Sequence, residues 1–376
     1  MTAFCVQLIV GTRPEAIKLA PLAHALAAAG IAPRLLLTGQ HPSLCATDHG
    51  LGGLPWDCLD CAGIDDPIAH AACVAEAAVP VLHRELPDMV IVQGDTSSAL
   101  GGARAAAELD LPLAHVEAGL RSFDRAMPWP EEDNRIAIDE LSDLLFAPTA
   151  GAAANLRSEA VRGEVQVTGN TGIDALHTTL HSLPPTRVRG HQPDAPLDLL
   201  VTCHRRENWA AGVASVAAAL IELARERTAR VAVVLHSNPH LAEVMQRQLA
   251  GRDGVRLSPP LDHRAMIERM RRADLILSDS GGVQEEAPAL GVPLLVLRER
   301  TERPEAVTSG NALLVGTGTD RILSEVRRLY ADRASLARMA LPALPFGDGS
   351  AAPRIAGHIR RWLLERERSQ FVRRIA

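Results

Sequence analysis

The chain has 376 residues, enough for two domains that each bury a core of their own. Apolar residues make up 47% and charged residues 22%, as in a globular protein, and the net charge of −6 excludes the basic footprint of a nucleic-acid binder. No run of about 18 apolar residues marks a membrane span, and the first residues lack the basic start and cleavage site of a signal peptide. The expected location is therefore the cytoplasm, with all six cysteines reduced. Cys58 and Cys61 form a CxxC, but no second pair completes a zinc site. Of the 39 basic residues one is lysine, Lys18.

Along the chain, short apolar runs alternate with amphipathic ones. FCVQLIV (4–10) predicts a strand and PEAIKLAPLAHALAAA (14–29) a helix, with Pro14 in its first turn. PRLLLTG (33–39) predicts the next strand, DMVIVQGD (88–95) a buried one, SSALGGARAAAEL (97–109) a helix and LPLAHVEAG (111–119) a further strand. These apolar runs are continuous, which suits strands covered on both faces. Strand, helix, strand at this spacing means right-handed βαβ units and a parallel sheet. The proline-rich LPPTRVRGHQPDAPLD (183–198) reads as a linker. The alternation then restarts with LDLLVTC (197–203), a helix near 211–227, RVAVVLH (230–236), a helix near 239–250, ADLILSD (273–279), a helix from about 282 and VPLLVL (292–297). A long helix, PRIAGHIRRWLLERERSQFVRRI, closes the chain.

The expected architecture is α/β: two Rossmann-like, doubly wound domains, 1–182 and 183–354, with a helix at about 355–376 returning to the first. Ligands of open α/β sheets sit beyond the carboxyl ends of the strands, so a cleft between two such domains is the expected site. The polar residues that follow strands are therefore the candidates.

After the first strand, GTRPEAIK (11–18) is a glycine turn into a helix start, a place that favours anions, with Arg13 and Lys18 adding charge. The strand at 88–94 ends in Gly94-Asp95-Thr96 and the one at 112–116 in Glu117-Ala118-Gly119. If the two are neighbours, both carboxylates project into one site and repel each other's charge, which suits acid/base work. Asp95 also suits a helix cap; Glu117 before Ala-Gly does not. His115 and Glu117 share a strand face, but no third ligand follows at a metal spacing. In MPWPEEDNR (127–135), Glu131, Glu132 and Arg135 open a helix after a fixed loop. In the second half, His204-Arg205-Arg206 follows a strand and suits phosphate, while His236-Ser237-Asn238-Pro239 is a turn with a serine or asparagine cap.

SDSGGVQEEAPALG (278–291) is a strand end, a turn and a helix start. Gly281 and Gly282 let backbone N–H groups approach a diphosphate at the positive helix end, and Ser280 can donate its hydroxyl. Glu286 lies about one turn beyond Gly282 and suits two vicinal hydroxyls rather than phosphate. A ribose beside a diphosphate supplies both, so the stretch asks for a nucleoside diphosphate. Asp-Ser-Gly-Gly also occurs in trypsin-like proteases, but those are all-β, whereas this motif lies between a buried strand and a helix.

In this order, GTRPEAIKLAPL (11–22), TGQH (38–41), GDTSSAL (94–100), HVEAGLRS (115–122), PWPEEDNR (128–135), TGNTGIDAL (168–176), HRRENW (204–209), SDSGGVQEEAPALGVPLLVLRERTERPEAV (278–307) and LLVGT (313–317) make a specific set. The chain resembles the bacterial non-hydrolysing UDP-N-acetylglucosamine 2-epimerases through nearly its whole length. The resemblance implies a glycosyltransferase-B-like fold, a homodimer, a UDP-sugar substrate, and no cofactor or metal. It also implies inversion at C2 of UDP-GlcNAc by elimination of UDP and its re-addition. By the matching motifs Asp95, Glu117 and Glu131 are the catalytic carboxylates. Arg13, His204, Ser280, Gly281 and Gly282 hold the diphosphate, and Glu286 takes the ribose hydroxyls. Lys18, Arg135 and Arg303 line the same cleft, and Gln40, His41 and His236 form a regulatory region. The chain departs from the family pattern at Pro42-Ser43-Leu44-Cys45, in the arginine-free 60–68 segment, and at Met266, where some relatives have an aromatic. The alternatives are a hydrolysing 2-epimerase, an epimerase of a related UDP-sugar, a UDP-sugar glycosyltransferase of this fold and a non-catalytic binder.

Overall fold

The computed structural model describes residues 4–41, 44–185, 195–203 and 211–375. By internal contacts the chain divides into two compact units, Met1–Ala175 with Phe346–Ala376, and Leu176–Pro345. Of the proline-rich stretch at 183–198, residues 186–194 lie outside the described residues.

The first unit alternates strand and helix. Its elements are β1 (Cys5–Val10), α1 (Arg13–Ala28), β2 (Ala32–Leu37), β3 (Trp56–Cys58), α2 (Pro67–Glu85), β4 (Met89–Gln93), α3 (Ser97–Glu108), β5 (Leu113–Val116), α4 (Glu131–Leu141), β6 (Leu144–Ala147), α5 (Ala150–Ser158) and β7 (Glu164–Val167). α6 (Thr171–Ser182) carries the chain onward. The second unit then repeats the pattern: β8 (Leu197–Thr202), α7 (Ala211–Arg225), β9 (Ala229–Val234), α8 (Pro239–Leu249), β10 (Val255–Ser258), α9 (His263–Met270), β11 (Leu275–Ser278), α10 (Gly281–Leu290), β12 (Leu294–Val296), α11 (Pro304–Thr308), β13 (Ala312–Leu314), α12 (Thr319–Ala331) and α13 (Arg333–Met339). α14 (Ala351–Ile375) belongs again to the first unit.

All strand pairs are parallel. The orders are β3-β2-β1-β4-β5-β6-β7 and β10-β9-β8-β11-β12-β13. Each sheet reverses its winding beside its first strand, between β1 and β4 and between β8 and β11, which is where doubly wound sheets bind ligands. The central strands are buried along their length, as their continuous apolar runs predict. The sequence reading names no strand at β3, β6, β7 or β10: β3, β7 and β10 are short edge strands, half exposed and bearing charged residues, while β6 is an interior buried strand of four residues.

Small residues set the helix that follows Asp95, α3. A Cβ on Gly101 would lie 2.6 Å from Val74 of α2, and one on Gly102 2.7 Å from Ile9 of β1. Gly102 thus lets α3 sit directly on the switch-point strand β1, and Gly101 lets it pack closely against α2. On the other face, Ala352, Ile355, Ala356, Ile359 and Leu363 of α14 join Leu19, Leu22 and Leu26 of α1 in one buried cluster. Among the described residues no helix is long and apolar enough to cross a membrane.

Candidate active site

In the first unit, the turn after β1 is built by a reciprocal cap. Thr12 is the N-cap of α1, and Glu15 Oε2 accepts from the backbone N–H groups of Gly11 (2.8 Å) and Thr12 (2.6 Å). Glu15 Oε1 accepts from the hydroxyl of Thr96, which ties the β1 turn to the β4 turn. Burial raises the Glu15 pKa; hydrogen bonds from Thr96, Gly11 and Thr12 offset part of that rise. One turn further along α1, Lys18 is 8% exposed and its Nζ meets Glu117 Oε2. Arg13, the first residue of α1, is half-buried.

Strands β4 and β5 are direct neighbours, with Gln93 opposite Val116. Their carboxylates do not rely on one shared cation. Glu117 sits just past β5 in the left-handed region, at φ 73°, and both Glu117 N–H and Ala118 N–H bond to Phe146 O. Its Oε2 accepts from Lys18, from Gln93 Nε2 (3.1 Å) and from Asn170 Nδ2 (2.9 Å). Asp95 is held by Arg135, through Nη2 and through Nε at 3.2 Å. The helix-cap reading of Asp95 is replaced: Thr96 is the N-cap of α3, accepting from Ala99 N–H at 3.0 Å.

Arg135 is 2% exposed and also gives Nη1 to Glu132 Oε2 at 2.6 Å. Glu132 in turn accepts from Ser122 and Phe123 N–H, so it anchors the loop before α4 rather than merely complementing the helix dipole. Glu131 opens α4, half-buried, four residues ahead of Arg135. Its loop enters through two cis bonds, Met127–Pro128 and Trp129–Pro130.

The TGQH stretch lies against the same α3 start. Gln40 Oε1 accepts from Ser98 Oγ at 2.6 Å, and Ser98 also bonds Thr38 Oγ1 at 2.8 Å. His41 lines a cavity of about 230 Å³ with Gly39, Cys58 and Asp60. Pro42 and Ser43 lie outside the described residues.

In the second unit, Ser280 is the N-cap of α10 and Gly281-Gly282 its first turn. A Cβ on Gly281 would lie 2.9 Å from the Arg303 guanidinium, whereas nothing lies within 4 Å of one on Gly282. Arg303 is buried and donates Nε to Glu285 Oε1 at 2.6 Å and Nη1 to Glu302. Glu285 therefore does not oppose an anion at the turn; a guanidinium already meets it. Glu286 accepts from His263 Nε2 at 2.8 Å. Burial works against charge on His263, but its hydrogen bond to Glu286, the Glu286 charge and Asp262 outweigh it and raise the pKa. Thr202 and Ser278 bond at 2.6 Å across the switch point. Asn238 caps α8 and its N–H bonds His236 Nδ1 at 2.9 Å. His204 lies outside the described residues.

The structure thus joins Lys18 to Glu117 and Asp95 to Arg135 in the first unit, and groups Ser280, Gly281 and Arg303 in the second. Sequence reasoning missed Glu15, Gln93, Glu132, Asn170, Glu285 and His263 as partners of these groups. Of them only Glu15 carries a local signal, the Thr-x-x-Glu of a capping box.

A family model described as UDP-N-acetylglucosamine 2-epimerase matches residues 24–360. A UDP-N-acetylglucosamine 2-epimerase of Yersinia pestis is 41% identical over 360 residues, covering 92% of this chain and 96% of its own. That of Escherichia coli K12 is 38% identical, with the same coverage of 92% and 96%. The UDP-GlcNAc 2-epimerase of Neisseria meningitidis, solved bound to UDP-GlcNAc, superposes with a TM-score of 0.88 at 35% identity, over 95% of this chain and 100% of that one. The enzyme of Methanocaldococcus jannaschii, solved with UDP-GlcNAc and UDP, gives 0.83 at 31% identity, over 95% and 100%. MurG of Acinetobacter baumannii, at 14% identity and 0.57 over 96% and 99%, shares the fold alone.

Proposed function

The chain belongs to the UDP-N-acetylglucosamine 2-epimerase family of isomerases, and on that premise we propose that it interconverts UDP-GlcNAc and UDP-ManNAc by inverting C2. The C2 proton is not acidic, so direct deprotonation to a carbanion has too high a barrier. Elimination avoids it. A carboxylate takes the C2 proton, the C1–O bond to UDP breaks, and the electron pair forms the C1=C2 bond of 2-acetamidoglucal. In the return step the diphosphate oxygen adds at C1 and a carboxylic acid delivers a proton to the other face of C2. Atoms and charge balance, and neither water nor a redox partner enters.

Asp95, Glu117 and Glu131 serve these proton transfers. The observation that carries the reading is that Glu117 and Asp95, at the ends of adjacent strands, are each gripped by a separate buried cation. Two carboxylates positioned independently can serve opposite faces of a sugar ring. Lys18 and Arg135 act through the carboxylates they grip. The α10 start with Ser280, Gly281 and Gly282 takes the diphosphate, with Arg13 and His204; Arg303 shapes that turn from beneath. Glu286 takes the ribose hydroxyls. UDP is both leaving group and nucleophile, so its retention decides whether the second step occurs. The same reading carries a cytoplasmic homodimer and a regulatory role for Gln40, His41 and His236, testable by sedimentation and by substrate-activation kinetics.

The test is proton NMR of UDP-GlcNAc with the purified chain in deuterated buffer. UDP-ManNAc with deuterium at C2 is the expected product. Free ManNAc with UDP means hydrolysis instead. An unchanged spectrum overturns the assignment.

A further inference from the structure

His115 stands in the middle of β5, a central strand, with no solvent exposure. Both ring nitrogens face acceptors. Nδ1 lies 2.6 Å from Asp139 Oδ1 and Nε2 lies 2.8 Å from the Gly94 carbonyl. A neutral imidazole has one N–H and one lone pair, so one of these contacts would set a lone pair against an oxygen. Asp139 is held as an acceptor from its other side. Its Oδ2 receives Arg121 Nη2 at 2.7 Å and Gly119 N–H at 3.2 Å. Arg121 also donates Nε to Glu159 at 2.8 Å. The groups facing the ring and its partners are thus two carboxylates, Asp139 and Glu159, and one guanidinium, Arg121.

The two ends of this chain of bonds are the two turns that carry Asp95 and Glu117. Gly94 O belongs to the peptide that leads directly into Asp95, and Gly94 N–H bonds Val116 O at 3.0 Å. Gly119 N–H belongs to the turn that holds Glu117 at φ 73°. The neighbouring charges on those carboxylates are Arg135 on Asp95 and Lys18 on Glu117.

We propose that His115 is a buried imidazolium that, with Asp139, sets the aim of both carboxylate-bearing turns, and is therefore a positioning residue for the two proton transfers. It touches no substrate. The inference rests on the epimerase reading for its kinetic consequence and on hydrogen-bond geometry for its charge.

The charge is tested on the unaltered chain. Labelling histidine with ¹⁵N, with His115 assigned through backbone correlations, shows two N–H-type ring nitrogens at neutral pH if the ring is an imidazolium. One lone-pair nitrogen at neutral pH overturns the proposal. Kinetics of His115→Gln and Asp139→Asn test the positioning. Because ~1 Å of misplacement costs about 10²-fold, kcat should fall by that order, with KM and UDP affinity within about threefold. The acidic limb of the pH–rate profile should also move upward as the buried cation is lost. A folded variant with wild-type kcat overturns the positioning role. If the variants fail to fold, the nitrogen spectrum still decides. A wild-type chain that leaves UDP-GlcNAc untouched sinks the epimerase reading and leaves the charge of His115 to that spectrum.

Discussion

Lys18, the single lysine of the chain, ends on Glu117 Oε2, beside the amides of Gln93 and Asn170. That oxygen collects donors from α1, β4 and the residue before α6, with Glu117 itself held in a left-handed turn.

A compact ammonium fits this point and a planar fork does not. Lys18→Arg should displace Asn170 or Gln93 and re-aim the carboxylate. Steady-state kinetics should show kcat lowered by about 10²-fold. UDP affinity, read by calorimetry, should stay close to wild type. Full activity of the arginine variant would remove the argument that this pocket rejects a guanidinium.

Arg135 joins Asp95 to Glu132 while almost wholly buried. Arg135→Met leaves both carboxylates without that cation, and breaking such a buried pair costs about 3–5 kcal/mol. Urea unfolding should show the loss. The double change Arg135→Met with Glu132→Gln should recover part of it, because one of the stranded charges is gone.

Gly281 has the Arg303 guanidinium where a side chain would begin. Gly281→Ala must push the guanidinium aside and with it Glu285, its partner at 2.6 Å. UDP binding should weaken at least about tenfold, roughly 1.4 kcal/mol. Gly282→Ala meets nothing within 4 Å and should cost far less. Equal losses at the two positions would contradict this account of the turn.

His263 and Glu286 form a pair whose strength depends on pH. The folded-state pKa of His263 is raised above its ordinary 6.5. Its stabilising contribution is therefore complete below 6.5 and is lost as pH rises through the raised value. The stability difference between wild type and His263→Gln should be largest in mild acid and shrink on the alkaline side. Unfolding curves across that range check the sign. A gap that widens with pH would mean the pair is not ionic.

The strand-end rule placed Asp95 and Glu117 side by side from sequence, and they do follow adjacent strands, because β4 and β5 are buried and continuous. It could not find what holds them. Glu117 meets Asn170 from 53 positions away, and Asp95 meets Arg135 from 40. Contacts between distant segments leave no periodicity to read. The same limit explains Glu285. Its partner Arg303 lies 18 positions on, and only the fold brings the two together. Short edge strands were illegible for a different reason, since a three-residue strand such as β3, half exposed, carries no run long enough to show alternation. Glu15 was legible and overlooked.

The return of α14 to the first unit has a consequence for synthesis. Ile355, Ile359 and Leu363 complete the hydrophobic cluster beneath α1, yet they follow every residue of the second unit in the chain. A ribosome therefore delivers all of the second unit while the first still lacks one wall of its core. The domain that is begun first is finished last, and until then the apolar face of α1 is a surface that a chaperone can recognise.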